Sequence, residues 1–190
     1  MRERTSIVEL YLQKGSPERV EERLEKEQHC YELLDRLGIE FDRVDHEPAE
    51  NMEACQAIES VLGAHICKNL FLCNRQQTQF HLLLMPGEKP FRTKEFSKKI
   101  GSSRLSFATA EHMEQYLDIT PGSVSIFGLM NDKDKVVHLA VDKDLLEQEY
   151  FGCHPCINTS SLRLKTEVVF GPILKALGHA MTVVELTGEE

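Results

Sequence analysis

The feature that most constrains the fold is an apolar run, residues 63–73, with the pair Lys68-Asn69 at its centre. The apolar residues on both sides of that pair predict a buried β-strand. In a strand, successive side chains point to opposite faces, so Lys68 shares a face with Ile66 and Leu70 while Asn69 lies on the other face. A lysine among such neighbours either reaches water at a sheet edge, where it opposes aggregation, or binds an anionic group.

Helical and strand patterns alternate along the rest of the chain. The predicted helices cover residues 17–37, 51–62, 93–100, 110–117, 143–150 and 167–177. The predicted strands cover residues 39–44, 63–73, 79–85, 123–130, 136–141, 162–164 and 182–186. Helices interspersed with hairpins predict an α+β (mixed α/β) fold, with a mostly antiparallel mixed sheet packed by helices.

The composition, 41% hydrophobic and 28% charged, is that of an ordinary soluble globular protein. A chain of 190 residues predicts one domain, and residues 1–27 form a strongly charged segment in front of it. The N-terminus has no apolar signal region, and no apolar run is long enough to span a membrane. We therefore expect a cytoplasmic protein with no membrane partner.

Basic residues concentrate in one part of a chain whose formal net charge of −9 argues against a general nucleic-acid binder. Residues 88–104 hold only two acids, and the basic residues there are Lys89, Arg92, Lys94, Lys98, Lys99 and Arg104. Such a run is usually the solvated face of a helix. The alternative is a local patch that contacts RNA phosphates. The candidate residues for that contact are Lys94, Lys98, Lys99 and Arg104.

Six cysteines without a secretory signal predict reduced thiols rather than disulfides. Cys153 and Cys156 have the Cys-x-x-Cys spacing of redox and zinc sites, but the polar residues that follow do not start a helix, as a redox motif requires. A zinc site would need two more ligands, and Cys67 with Cys73 have an unusual ligand spacing. We expect no metal and no cofactor, and a redox or zinc protein stays as an alternative.

Four motifs agree with one known family. They are Cys67-Lys68-Asn69, the segment 104–108 (RLSFA), the segment 120–132 (TPGSVSIFGLMND) and the segment 152–159 (GCHPCINT). Together they resemble the YbaK/ProX superfamily of aminoacyl-tRNA editing domains, and within it the free-standing alanyl-tRNA(Pro) deacylases called PrdX or ProXp-ala. The resemblance implies an editing domain over residues 28–190 behind a charged helical extension over residues 1–27.

The resemblance implies a trans-editing enzyme, a carboxylic ester hydrolase that removes a wrong amino acid from the terminal adenosine of tRNA(Pro). Alanine is the expected amino acid, because a synthetase gains only about 1–3 kcal/mol of discrimination per missing methylene and needs a second sieve. The implied partners are aminoacylated tRNA(Pro) and prolyl-tRNA synthetase, and the implied state is a monomer or a homodimer.

The same resemblance implies roles for individual residues. Lys68 matches the family's central lysine, which would hold the 3′-terminal nucleotide and orient the ester. The implied catalytic residues are Lys68, Gly122 and His154. The implied substrate-binding residues are Asn69, Ser123, Val124, Ser125, Ile126, Gly152, Pro155, Asn158 and Thr159. Ile126 departs from the family's Gly-x-x-x-Pro loop, where a proline is expected, and this leaves the preferred amino acid open.

Three alternatives remain at this point. The first is a deacylase for cysteinyl-tRNA(Pro) or another small aminoacyl-tRNA. The second is a non-catalytic relative that binds tRNA or a synthetase, or that has a regulatory role. The third is the redox or zinc protein described above. His154 is also open, since it either orients water or aminoacyl substrate, or only bonds to the backbone of its loop. No Gly-x-Ser-x-Gly motif is present, which argues against an ordinary serine esterase.

Overall fold

The computed structural model describes residues 9–189. Its strands are β1 (Gln13–Lys14), β2 (Asp42–Asp45), β3 (Lys68–Asn74), β4 (Phe80–Met85), β5 (Leu105–Phe107), β6 (Val137–Asp142), β7 (Tyr150–Cys153), β8 (Ser160–Lys165) and β9 (Met181–Val184). Its α-helices are α1 (Glu25–Arg36), α2 (Met52–Leu62), α3 (Thr93–Lys99), α4 (Ala110–Leu117), α5 (Lys143–Leu146), α6 (Thr166–Val168) and α7 (Leu174–Leu177). Two 3₁₀-helices, Val20–Glu22 and Ile126–Asn131, and a π-helical turn, Val169–Ile173, complete the described elements.

The strands form two sheets, and the α+β class predicted from the sequence is confirmed. The four-stranded sheet has the order β1-β2-β8-β7 and is antiparallel throughout. The five-stranded sheet has the order β5-β3-β4-β6-β9. In it β3 pairs antiparallel with β4 and β5, whereas β4, β6 and β9 run parallel. Helices therefore have to connect the parallel strands, as the interspersed helical patterns indicate.

The five-stranded sheet is buried on both faces, which explains the continuous apolar run of β4. Leu82 and Leu84 belong to the larger core cluster, to which α1 and the 3₁₀-helix Ile126–Asn131 also contribute side chains. Leu83 and Met85 point the other way, into a smaller cluster with Phe96 of α3. A strand that is covered on both sides has no polar face, so its sequence does not alternate.

The two sheets meet where Gly152 of β7 contacts residues 65–67, just before β3. The Cys67 amide donates to the Gly152 carbonyl oxygen, with N and O 3.0 Å apart. A Cβ at Gly152 would lie 2.4 Å from the His65 carbonyl oxygen, and a Cβ at Gly87 would lie 2.6 Å from that of Ile66. Because only glycine permits such approaches, two glycines fix the backbone that leads into β3.

Several local signals in the sequence place element ends correctly. The Asn51 side chain accepts a hydrogen bond from the Ala54 amide at the start of α2, and Gly63 ends that helix in the left-handed conformation. Thr109 caps α4 in the same way through the His112 amide. The hairpin of β3 and β4 is also as predicted.

Three predicted elements are wrong. The helix expected over residues 143–150 is only Lys143–Leu146, because Tyr150 begins β7, which pairs with β8. The helix expected from residue 17 begins at Glu25, because the Ser16 hydroxyl donates to Asp35 instead of capping a helix, and residues 13–14 form β1 against β2. The strand expected over residues 123–130 is largely the 3₁₀-helix Ile126–Asn131, which the Ser125 side chain caps through the Phe127 amide. Residues 1–8 of the predicted extension lie outside the described residues, and the domain boundary at residue 27 stays a prediction.

Within residues 9–189 we find no helix that is both long enough and apolar enough to cross a bilayer.

Candidate active site

A cleft of about 770 Å³ opens between α2, the start of β3 and four loops. Three of these loops follow β2, β4 and β7, and the fourth contains Gly122. Four residues predicted from the sequence line this cleft, namely Lys68, Gly122, His154 and Asn158. The structure thus brings together one cation, one exposed glycine, one imidazole and one amide that lie far apart in the chain.

Lys68 supplies the positive charge of the cleft, which Glu59 and Glu88 also line. It is the first residue of β3 and pairs with Met85, the last residue of β4. Its half-buried ammonium group donates a hydrogen bond to the carbonyl oxygen of Lys89 in the loop after β4. Among the described residues that line the cleft, Lys68 is the only lysine or arginine. A cation shielded from bulk water attracts anions more strongly, so this position favours an anionic ligand.

Asn69 points to the opposite face of β3 and does not line the cleft. Its amide nitrogen donates to the Cys67 carbonyl oxygen at 3.1 Å, and its amide oxygen lies 3.7 Å from the Cys67 thiol. Asn69 therefore stabilises the backbone at the start of β3, on the face away from the cleft.

Of the predicted loop 122–126, only Gly122 reaches the cleft. Its φ of 88° lies in the left-handed region, where glycine is the residue without a steric penalty. Ser123, Val124 and Ser125 are buried, and Ile126 is fully buried in the larger core cluster. The isoleucine that departs from the expected proline thus packs behind the loop and not in the cavity.

His154 belongs to a chain of hydrogen bonds that fixes its tautomer. Its Nδ1 lies 2.9 Å from the Ser160 carbonyl oxygen, which can only accept, so Nδ1 carries the proton. The Ser161 hydroxyl lies 3.4 Å from the same Nδ1 and 2.8 Å from Nε2 of His46. His46 in turn donates from Nδ1 to the Glu47 carbonyl oxygen at 2.8 Å. Every proton in this chain is assigned with both imidazoles neutral, which leaves Nε2 of His154 as an acceptor.

The pKa values agree with neutral rings. Burial lowers the pKa of His154, and the nearby His46 lowers it further. Burial also lowers the pKa of His46, although its hydrogen bond to the Glu47 carbonyl opposes the shift. A neutral imidazole with a free Nε2 can hold a water molecule or take a proton from it near neutral pH.

The remaining residues of the 152–159 loop have separate environments. Gly152 joins the two sheets, as described above. Pro155 is buried, and Asn158 lines the cleft. Thr159 is exposed and does not line the cleft, although its carbonyl oxygen accepts from the His46 amide at 3.0 Å.

Sequence reasoning missed one wall of the cleft. The lining residues in question are His46, Met52, Cys55, Ile58, Glu59 and His65. Glu59 of α2 accepts from the Ile66 amide at 2.8 Å and lies 3.1 Å from Nδ1 of His65, so α2 is tied to the start of β3. The sequence signals this wall only through Pro48, which marks a break between the predicted strand 39–44 and the predicted helix 51–62.

Comparison with known proteins identifies the family. A sequence profile described as the aminoacyl-tRNA editing domain matches residues 46–170, from His46 of the histidine chain to the segment after β8. The chain belongs to this family. The resemblance to YbaK/ProX editing domains that the motifs indicated is therefore confirmed.

Individual relatives of this editing domain agree. The "Prolyl-tRNA editing protein ProX" of Acetoanaerobium sticklandii is 33% identical over 153 residues, which cover 80% of this chain and 93% of that protein. The "Prolyl-tRNA synthetase associated domain-containing protein 1" of Danio rerio is 26% identical, covering 69% of this chain and 72% of that protein. The fold is similar to the crystal structure of a candidate trans-editing enzyme for prolyl-tRNA synthetase, with a TM-score of 0.61 and 17% identity, covering 86% and 99% of the two chains.

Five of the six cysteines of this editing domain are packed in its interior, whereas Cys55 of α2 is exposed at the cleft. All six are free, and Cys30, Cys67, Cys153 and Cys156 are buried, with the Cys30 and Cys156 sulfurs 3.6 Å apart. Burial raises the pKa of Cys67 to about 12 and raises that of Cys153 well above its usual value. Such thiols stay protonated and unreactive. Between residues 9 and 189, no group of three or more His, Cys, Asp or Glu residues is arranged to hold a metal ion.

The basic residues of α3 line a second groove, of about 580 Å³. Its walls are Thr93, Lys94, Ser97, Lys98, Ser102 and Arg104. Lys99 is exposed but outside this groove. Lys89 does not belong to the patch, because its ammonium group pairs with Asp142 and Asp144. Three of the four predicted phosphate contacts therefore share one surface.

Proposed function

We propose that this editing domain hydrolyses the ester bond between a small amino acid and the terminal adenosine of mischarged tRNA(Pro), with alanine as the preferred amino acid. The observation that carries the proposal is the convergence of Lys68, Gly122 and His154 on one cleft. The names of the relatives support proline tRNA as the substrate.

The chemistry requires a water molecule, an acceptor for its proton and donors for the negative charge that forms on the ester oxygen. Nε2 of neutral His154 is the acceptor that orients the water. The Lys68 ammonium holds the anionic 3′-terminal nucleotide and so fixes the ester. The exposed backbone of Gly122 offers its amide to the carbonyl oxygen, and a hydroxyl of the terminal ribose assists the attack.

The walls of the cleft support a small apolar amino acid. Met52, Cys55, Ile58 and Ile66 give α2 and the start of β3 an apolar surface towards the cavity. An apolar wall of this kind excludes larger side chains by size, but it rejects an added hydroxyl by only about 10²-fold. Cysteine, which is close to alanine in size, is the expected second substrate.

The test is a deacylation assay with alanyl-, cysteinyl- and seryl-tRNA(Pro) as parallel substrates. We expect alanyl-tRNA(Pro) to react first, with kcat/KM for the seryl ester lower by about 10–10²-fold. Prolyl-tRNA(Pro) is the matched control and should remain intact. Equal and slow hydrolysis of all three mischarged esters, at the rate seen without protein, would exclude an editing enzyme and leave a non-catalytic tRNA-binding or synthetase-binding role.

We also propose that the groove beside α3 contacts the phosphate backbone of the tRNA. Lys94, Lys98 and Arg104 form no ion pair with any residue between 9 and 189, in a protein of net charge −9. Lys94 comes six positions after Glu88, which lines the cleft, so their backbones lie within about 20 Å of each other. An RNA strand whose 3′ end occupies the cleft can reach this groove.

Reversing two charges in the groove, with Lys94→Glu and Lys98→Glu, should weaken the binding of full-length tRNA but leave the hydrolytic step unchanged. We expect kcat/KM for alanyl-tRNA(Pro) to fall about tenfold at low salt, and the slope of log(kcat/KM) against log[salt] to become shallower by about 1.5–2. An alanyl ester on a CCA trinucleotide is too short to reach the groove, so its hydrolysis should not change. The control is Lys133→Glu with Lys175→Glu, two exposed lysines outside the groove. Equal salt slopes for both pairs would contradict the contact.

A further inference from the structure

The ammonium group of Lys68 is held by a loop that follows the neighbouring strand. Lys68 and Met85 are opposite each other at one end of the β3–β4 pair. Residues 86–89 then fold back as a turn, in which the Lys89 amide donates to the Pro86 carbonyl oxygen at 3.2 Å. This turn brings the Lys89 carbonyl oxygen to Nζ of Lys68. The position of the Lys68 charge therefore depends on the position of this turn.

The side chain of Lys89 points away from the cleft and anchors the turn. Its Nζ donates to Oδ2 of Asp142 at 2.7 Å, to Oδ2 of Asp144 at 2.6 Å and to the Leu186 carbonyl oxygen at 2.8 Å. These three bonds use every N–H of the ammonium group. Burial alone would lower the pKa of Lys89, but the hydrogen bonds that its ammonium group donates to the two aspartates raise it above its usual value. Lys89 is therefore a permanent cation with no donor left for a ligand.

Asp142 reaches this position through the register of the five-stranded sheet. Leu84 of β4 pairs with Val141 of β6, so Asp142 is level with the end of β4. The Asp142 side chain is fully buried, and its second oxygen accepts from the Asp144 amide at the start of α5. A fully buried carboxylate without its cation would be strongly unfavourable, which makes the Lys89–Asp142 pair a rigid attachment.

The chain after β9 closes over the same loop. The Glu95 carboxylate accepts from the amides of Thr187 and Gly188 at 2.6 and 3.1 Å. Arg92 donates to the Gly188 carbonyl oxygen at 3.3 Å, and Gly188 packs against Pro90. The loop between β4 and α3 is thus held from the side away from the cleft along most of its length.

We propose that Lys89 and Asp142 are positioning residues for Lys68. The buried ion pair, together with the bond to Leu186, fixes the turn whose carbonyl group aims the Lys68 ammonium into the cleft. Neither residue lines the cleft. The catalytic importance of Lys68 rests on the proposed function, whereas its attachment to the Lys89–Asp142 pair can be tested without any substrate.

The test measures how readily Lys68 reacts with a brief pulse of acetic anhydride, by mass spectrometry, with the exposed Lys133 and Lys175 as internal references. In the Lys89→Met variant the turn loses its anchor, and we expect Lys68 to be acetylated about tenfold faster as the local opening becomes more populated. Asp142→Asn should give a smaller increase, because an amide still accepts from Lys89. Lys89→Arg keeps the charge and should restore most of the protection. The kcat/KM for ester hydrolysis should fall most in Lys89→Met, less in Asp142→Asn and least in Lys89→Arg.

The matched control is Asp132→Asn, in the loop that precedes β6. Asp132 is also a buried aspartate, and it is bound to His179 at 2.9 Å and to the amides of Val136 and Val137. Its loss should lower the melting temperature but leave the acetylation of Lys68 unchanged. If Lys68 reacts equally in Lys89→Met, Asp132→Asn and the unchanged protein, the proposal is overturned. If the protein hydrolyses no aminoacyl ester, the proposed function fails while the acetylation result still decides the role of Lys89.

Discussion

Replacing Lys68 with alanine is expected to lower kcat/KM for alanyl-tRNA(Pro) by about 10²-fold or more, because an ester that is misplaced by about 1 Å can react 10²-fold more slowly. Lys68 is the only lysine or arginine among the described residues of the cleft, so no neighbour can replace its charge there. The fold should persist, because the ammonium group contributes a single hydrogen bond to the Lys89 carbonyl, worth about 1 kcal/mol. Single-turnover deacylation with thermal unfolding of the same sample measures both effects.

Two further variants show what the lysine does. Lys68→Arg keeps the charge on a larger, planar group and should retain part of the activity, since an arginine does not place its donors where an ammonium group does. Lys175→Ala removes an exposed lysine on α7 and should change nothing. Activity of Lys68→Ala equal to that of Lys175→Ala would show that the cleft charge has no part in the reaction.

Elements with strong local signals were predictable from the sequence. The cap at Asn51 and the stop at Gly63 bound α2 because both act within one turn of the helix. The errors arose where a distant partner competes with a local signal. Ser16 has the sequence context of a helix cap, yet it bonds to Asp35 of α1. The apolar residues 123–130 suited a strand equally well, because a short buried run has no period that separates strand from helix.

The site was predictable only as far as its motifs extend. Lys68, Gly122 and His154 stand in recognisable segments, and the structure places them in one cleft. The hydrogen-bond partners of His154 could not be found this way, because His46, which bonds to the same Ser161 hydroxyl, lies 115 residues before that serine in the sequence. Lys89 belongs to the mostly basic segment 88–104, yet its side chain pairs with Asp142, which the register of the five-stranded sheet places beside it. Pairings of this kind are set by topology and leave no local pattern.

Gly152 is the position where a single methyl group should cost the most stability. A Cβ there would lie 2.4 Å from the His65 carbonyl oxygen, 2.9 Å from its carbon and 3.1 Å from the Ile66 Cα. All three atoms belong to the backbone, so no side chain can move aside. We expect Gly152→Ala to lower the free energy of unfolding by about 2–3 kcal/mol, the range of an overpacked core. For a chain of this size, that corresponds to a melting temperature lower by about 4–12 °C.

The same substitution should also impair hydrolysis, because the contact of Gly152 with residues 65–67 aligns two walls of the cleft. Separation of β7 from this segment would move His154 away from Lys68, and a shift of about 1 Å can cost 10²-fold in rate. Gly171→Ala is the matched control, since no heavy atom lies within 4 Å of its added Cβ and its φ is not left-handed. Comparable melting temperatures for the two alanine variants would contradict the contact between the sheets. A destabilised Gly152→Ala protein with full activity would instead show that the geometry of the cleft does not depend on this contact. Lys68→Ala is expected to give the opposite result, a stable fold with lost activity.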